Sequence, residues 1–167
     1  MAIHPGFSAF KQQVAHPVKY RLFLLSKLPL AFITGLRIQN LQEDQAAIRI
    51  RFKWINQNPF RSIYFAALSM AAELSTGILA FAQLYQRKPG VSMLVVSMEG
   101  AFYKKAVGTI VFTCTDGMAI ANAIEQTIAT GEGITLPCTT IGLNEAGEEV
   151  AKFVFVWSFK AKAVSYQ

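Results

Sequence analysis

The stretch NQNPFRSIYFAALSMAAELSTGILAFAQLYQ, residues 56–86, decides how this chain is read. Alanine, leucine and other strong helix formers fill it, so it reads as one long helix. It is apolar almost all the way round, and a helix of that kind is enclosed by its own protein or by lipid. One acid, Glu73, stands near its middle. A carboxylate on such a helix is costly to bury unless it is paired, titrates abnormally or faces water.

The whole chain bounds the choice between protein and lipid. Its 167 residues suit a single domain with a real core. Residues 63–84 are long enough to span a bilayer. Glu73 would then sit near the midplane, where charge is expensive, and Ser69, Ser75, Thr76 and Gly77 dilute the run further. The flanking segments read as strands, so the helix is expected inside a sheet, with no stable membrane insertion.

At 53% hydrophobic and 16% charged, the chain is greasier than an average soluble domain, which points to surface covered by another subunit. The net charge of +6 admits an anionic partner: nucleic acid, an anionic lipid surface or a phosphorylated small molecule. The cations are dispersed, with no run beyond Lys104-Lys105, so no nucleic-acid partner is expected. Cys114 and Cys138 lack metal-type spacing and read as free buried thiols, and no metal is expected. The opening MAIHPGFSAFKQQ lacks the pattern of a secretory signal, which suggests a cytoplasmic protein.

Outward from the helix, the preface comes first. Residues 7–28 read as one or two short helices bounded by Pro17 and Pro29. Val18, Leu22 and Leu25, with Phe23 on the flank, form an apolar stripe expected to pack on the core or to cover an acyl-binding groove. Residues 36–41 and 46–53 make a hairpin, whose second strand alternates Ile48, Ile50 and Phe52 with Arg49, Arg51 and Lys53. Asn58-Pro59 fits a helix N-cap followed by proline, which starts the long helix there and carries it to about Tyr85. Residues 91–101 are near-continuously apolar, as in a central strand. Residues 107–115 form another strand, and Asp116 caps a short helix to about Ala129. Residues 134–143 and 149–160 close the chain as a hairpin, with Phe153, Phe155, Trp157 and Phe159 on one face. The order suggests an α+β architecture, a curved antiparallel sheet wrapped round a long central helix. Residues 1–34 form a helical preface and 35–162 the core of one domain, 1–167.

Element order and one local pattern resemble the hotdog-fold thioesterases, specifically their phenylacetyl-CoA thioesterase-like branch. Members of that branch enter the central helix with an Asn, then His-Gly-Gly six residues on, then an acid nine residues after the His. Here Asn58 is followed six residues on by Tyr64 and nine further on by Glu73, while Tyr64-Phe65-Ala66 departs from His-Gly-Gly. The resemblance implies a hotdog fold, an acyl-CoA-type substrate with no other cofactor, and a homodimer or tetramer with active sites at the interface.

The chemistry is consistent with that. Thioester hydrolysis needs an activated water or a carboxylate nucleophile, plus donors for the oxyanion. Glu73 is the candidate base or nucleophile. Asn58 is the candidate orienter, and Tyr64 stands where the family has His. On a helix starting at Asn58 the fifteen residues to Glu73 span about 22 Å, so only a pair of subunits brings both to one thioester. Ser62, Ser75 and Thr76 are candidate substrate-binding hydroxyls; Ser75 and Thr76 equally suit bonds to neighbouring carbonyls. Each candidate also has a plainer reading: Glu73 as a solvated or ion-paired acid, Asn58 as a cap, Tyr64 as core. His4 and His16 both lie in the preface, so neither a Ser-His-Asp triad nor a His-dependent hydratase is supported. The alternative function is a non-catalytic acyl-CoA-binding hotdog protein.

Overall fold

A computed structural model describes residues 4–162. The preface is three helices: α1 (Pro5–Ala15), α2 (Pro17–Lys27) and α3 (Pro29–Thr34). Each begins on a proline, whose fixed φ suits the first turn and whose missing N–H costs nothing there. The hairpin β1 (Arg37–Leu41) and β2 (Ala46–Arg51) follows, then α4 (Phe65–Leu84), β3 (Val91–Phe102), β4 (Thr109–Cys114), α5 (Gly117–Thr130), β5 (Ile134–Leu143) and β6 (Glu149–Ala161). The strands make one antiparallel sheet in the order β1-β2-β4-β5-β6-β3.

The sheet curves round α4, as the hotdog resemblance implies. Ile48 and Ile50 of β2, Phe112 of β4, and Phe153, Phe155, Trp157 and Phe159 of β6 are buried against it, as the strand alternation predicts. α4 packs on β2, β4, β5 and β6, with α1 and α5 at its sides. It is long and apolar enough to cross a membrane, but most of it is buried inside this sheet. Two hydroxyl bridges fix its rotation. Ser75 Oγ and Thr140 Oγ1 lie 2.7 Å apart, and Trp157 Nε1 donates to Thr76 Oγ1 at 2.9 Å.

Three expectations need correction. The long helix starts at Phe65, with Tyr64 as its N-cap residue, not at Asn58. Residues 58–62 close a turn instead. Asn58 Oδ1 accepts from the backbone N–H of Phe60 and Ser62 at 3.0 and 3.2 Å, and Arg61 is left-handed at φ 56°. A backbone bridge between Gln57 and Ile63 then holds the two sides of the turn together. The apolar strand β3 is an edge strand, not a central one. The stripe on α2 also points the other way: Tyr20 and Leu24 pack inward, while Val18, Leu22 and Leu25 are 59%, 59% and 52% exposed. Hydrophobic spacing names a face but not its direction, and α2 has an apolar set on both sides.

Asp116 occupies the N-cap position of α5, but its carboxylate reaches across to β5, accepting from Thr139 N at 2.7 Å. Gly117 beside it has no room for a side chain, since a Cβ would lie 2.0 Å from the Glu43 carbonyl.

Candidate functional site

Glu73 sits two turns into α4, on the side turned to the preface. Ser75, two residues on, is about 200° round the helix and faces the sheet. The Glu73 carboxyl is half-buried and stands on a wall shared by two cavities. The larger, about 450 Å³, is lined by Phe23, Leu28, Leu74, Ile78, Phe81 and Met93. The smaller, about 260 Å³, runs towards Leu30, Ala31 and Met70. Lys27, Leu28, Glu73 and Leu74 belong to both. Among the described residues the ion pairs are Arg87–Glu125 and Lys104–Glu148, and neither involves Glu73. Burial pushes its carboxyl above the ordinary carboxylate range, since removal from water disfavours the charged form.

Gly77 makes room for that carboxyl. A Cβ there would lie 3.0 Å from Glu73 Oε1 and 3.2 Å from Trp157 Cζ2. A glycine inside a helix costs about 1 kcal/mol relative to alanine, so its presence needs a packing reason, and the carboxyl and indole supply one. In the sequence Gly77 counts only as a small residue that dilutes the apolar run; a mid-helix glycine one turn from the acid is the signal of this packing. Sequence reading passed over Phe81 and Met93 as lining, because cavity walls drawn from several elements leave no local pattern.

The remaining candidates divide. Asn58, Ser62 and Tyr64 come together about a separate cavity of about 350 Å³ at the start of α4, with Phe65, Lys104 and Lys105. Asn58 Nδ2 donates to Ser62 Oγ at 2.9 Å, and the Tyr64 ring packs edge-on to Phe65 with centroids 4.9 Å apart. No residue of that cavity lines either cavity at Glu73. The eight residues from Phe65 to Glu73 alone span about 12 Å of helix, so one chain keeps Asn58 and Glu73 apart. Ser75 and Thr76 are fully buried. Their hydroxyls donate to the carbonyls of Ala72 and Glu73 at 2.7 and 2.9 Å as well as bridging to the sheet. They hold α4 in place and face away from the cavities.

Comparison with solved structures shows the same fold. A protein of unknown function from Pseudomonas aeruginosa, described as a probable thioesterase, superposes with a TM-score of 0.72 at 20% identity, covering 88% of this chain and 97% of that one. A protein of unknown function from Chlorobaculum tepidum gives 0.72 at 16% identity, covering 87% and 97%. A thioesterase from Haemophilus influenzae gives 0.63 at 13% identity, covering 87% and 92%. At these identities the likeness shows the hotdog fold alone. No curated protein matches by sequence. Residues 21–158 match the family described as Domain of unknown function (DUF4442), and the chain belongs to that family.

Proposed function

We propose that this protein hydrolyses acyl-CoA-type thioesters at the Glu73 cavities, as a cytoplasmic homodimer or a pair of such dimers. The observation that carries the reading is an acid with a raised pKa on the wall of an apolar cavity, unpaired among the described residues. A general base works best with a pKa near the operating pH, and burial moves Glu73 in that direction. The acyl chain lies in the larger cavity against Phe23, Phe81 and Met93, and the thioester carbonyl stands at Glu73. Glu73 takes a proton from water as the hydroxyl oxygen bonds to the carbonyl carbon. The C–S bond then breaks, and the proton passes to the leaving sulfur, giving a carboxylic acid and a thiol.

The oxyanion needs donors that Glu73 cannot supply. The partner subunit's Asn58 and the partner subunit's Tyr64, at the start of its α4, are assigned that task. Support comes from β3, which pairs only with β6 and leaves its outer edge open among the described residues. Leu94, Val96 and Met98 are exposed on this twelve-residue strand. A long apolar edge is an aggregation hazard unless it is covered, and a second β3 would cover it.

One feature favours a second reading, an acyl-CoA-binding protein without turnover. Tyr64-Phe65-Ala66 replaces His-Gly-Gly, and side chains crowd a helix start where glycine would let a carbonyl approach. A panel of acyl-CoAs decides, with thiol release measured beside thermal-shift binding. Turnover in the wild type that is lost in Glu73→Gln supports the hydrolase. Thermal shifts without thiol release favour the binder, and neither signal refutes both.

A further inference from the structure

We infer that the α2–α3 face of the preface is a docking surface for anionic lipid, which holds the protein reversibly on a membrane. This goes beyond hydrolysis and does not depend on it.

The first observation is the outward stripe. Val18, Leu22 and Leu25 are spaced i, i+4, i+7 on α2, and Leu30 and Ile33 of the next helix, α3, are exposed as well. The preface already has a separate inward set. Tyr20, Leu24, Ala31 and Thr34 are buried, and Phe23 packs between Phe10 and Phe81 with centroids 5.6 and 5.7 Å away. The outward residues therefore do nothing for this chain's own core. Exposed apolar side chains lined up on one helix face mark an interaction site.

Charge selects the occupant. The first acid in the chain is Glu43; ahead of it stand Lys11, Lys19, Arg21, Lys27 and Arg37. At 100° per residue, Lys19 and Arg21 lie on opposite flanks of the Val18–Leu22–Leu25 stripe. An apolar stripe between basic flanks is the pattern of a helix lying in a membrane interface, where leucines enter the acyl boundary and cations meet anionic headgroups. A second copy fits worse. A two-fold interface brings the same patch against itself, so Lys19 and Arg21 would meet their own kind with no acid in the preface to balance them. The apolar stripe likewise offers nothing to a nucleic-acid backbone.

Placement adds a third observation. Lys27 and Leu28 end the α2 segment and line both cavities at Glu73, and Leu30 lines the smaller. A membrane under α2–α3 therefore lies beside residues that line both cavities.

The test uses the full chain and two vesicle types, phosphatidylcholine alone and phosphatidylcholine mixed equally with phosphatidylglycerol. The wild type is expected to sediment with the mixed vesicles at low salt and to be released by high salt. Leu22→Glu/Leu25→Glu should weaken binding by at least about tenfold, since two leucines leave the acyl boundary. Lys19→Gln/Arg21→Gln should weaken it by about fivefold per charge and flatten the salt dependence. All four side chains are exposed, and circular dichroism confirms that each variant folds. A wild type that stays in solution with the mixed vesicles overturns the proposal, as does undiminished binding of the leucine variant. Sedimentation equilibrium without lipid supplies the remaining arm. A fall in mass for Leu22→Glu/Leu25→Glu would assign the face to a second copy and overturn the lipid assignment.

Discussion

Replacing Glu73 by Gln separates a working acid from a structural one, because the two readings move stability in opposite directions. The carboxyl is unpaired among the described residues, and burial raises its pKa in the folded state. The folded protein therefore holds the Glu73 proton to higher pH than the unfolded chain does. With more protons bound folded than unfolded, stability falls as pH rises from the unfolded value of 4.5 through the raised folded value, and the penalty persists above it. Glutamine keeps the volume and removes the charge, so it removes that penalty. Each unit of raised pKa corresponds to about 1.4 kcal/mol. In a chain of this length 1 kcal/mol moves Tm by roughly 2–4 °C, so the gain is roughly 3–6 °C per unit. Thermal melts of both proteins across pH 4–8 should coincide at the acid end and diverge towards neutrality, with the variant higher. Thiol release by the same variant should drop by about 10²–10⁴-fold, the contribution of a positioned base. A Gln variant less stable than wild type at neutral pH would mean that the charge has a stabilising partner. Undiminished turnover would remove Glu73 from the chemistry.

Three further outcomes follow from other contacts. Gly77→Ala places a methyl group against the Glu73 carboxyl and the Trp157 ring. The helix-propensity gain of about 1 kcal/mol offsets much of the crowding, so a melt should change little while turnover falls at least about tenfold. Thr76→Val leaves the buried Trp157 indole N–H without its acceptor, at a cost of about 1–3 kcal/mol in denaturant unfolding, with turnover unchanged. Burial pushes the Cys114 thiol up to about 12, and Cys138 is raised for the same reason. Neither thiol should react with a disulfide reagent at pH 8 until denaturant is added, and fast labelling of the native protein would contradict that burial.

The fold was legible because its signals are periodic. β2 and β6 alternate cleanly, and the apolar circumference of α4 demands enclosure. The errors come from signals that local sequence shares between two outcomes. Asn58-Pro59 suits a helix cap and a tight turn equally, and the long-range hydrogen bond from Ile63 N to the Ala106 carbonyl favours the turn. A strand apolar on both faces reads as central when the chain is considered alone, yet β3 lies at the edge. Glu73 stood out because it is the one charge on its helix. Its cavities were illegible, since their walls join α2, α3, α4 and β3, and sequence spacing says nothing about how separate elements meet.

The two sides of α4 carry the strongest case for function. On the sheet side both buried hydroxyls have a job in the fold: Ser75 meets Thr140, and Thr76 takes the Trp157 N–H and donates to the Glu73 carbonyl. On the preface side stand an acid unpaired among the described residues and a glycine where a Cβ would crowd both the Glu73 carboxyl and the Trp157 ring. A stability-only account predicts the reverse arrangement. It would pair the acid, or place leucine there and fill the cavity. The unpaired acid weakens the folded state, and Gly77 leaves its carboxyl oxygen room beside an apolar chamber. A buried acid that costs stability on the wall of an apolar chamber is what a site requires and a core does not.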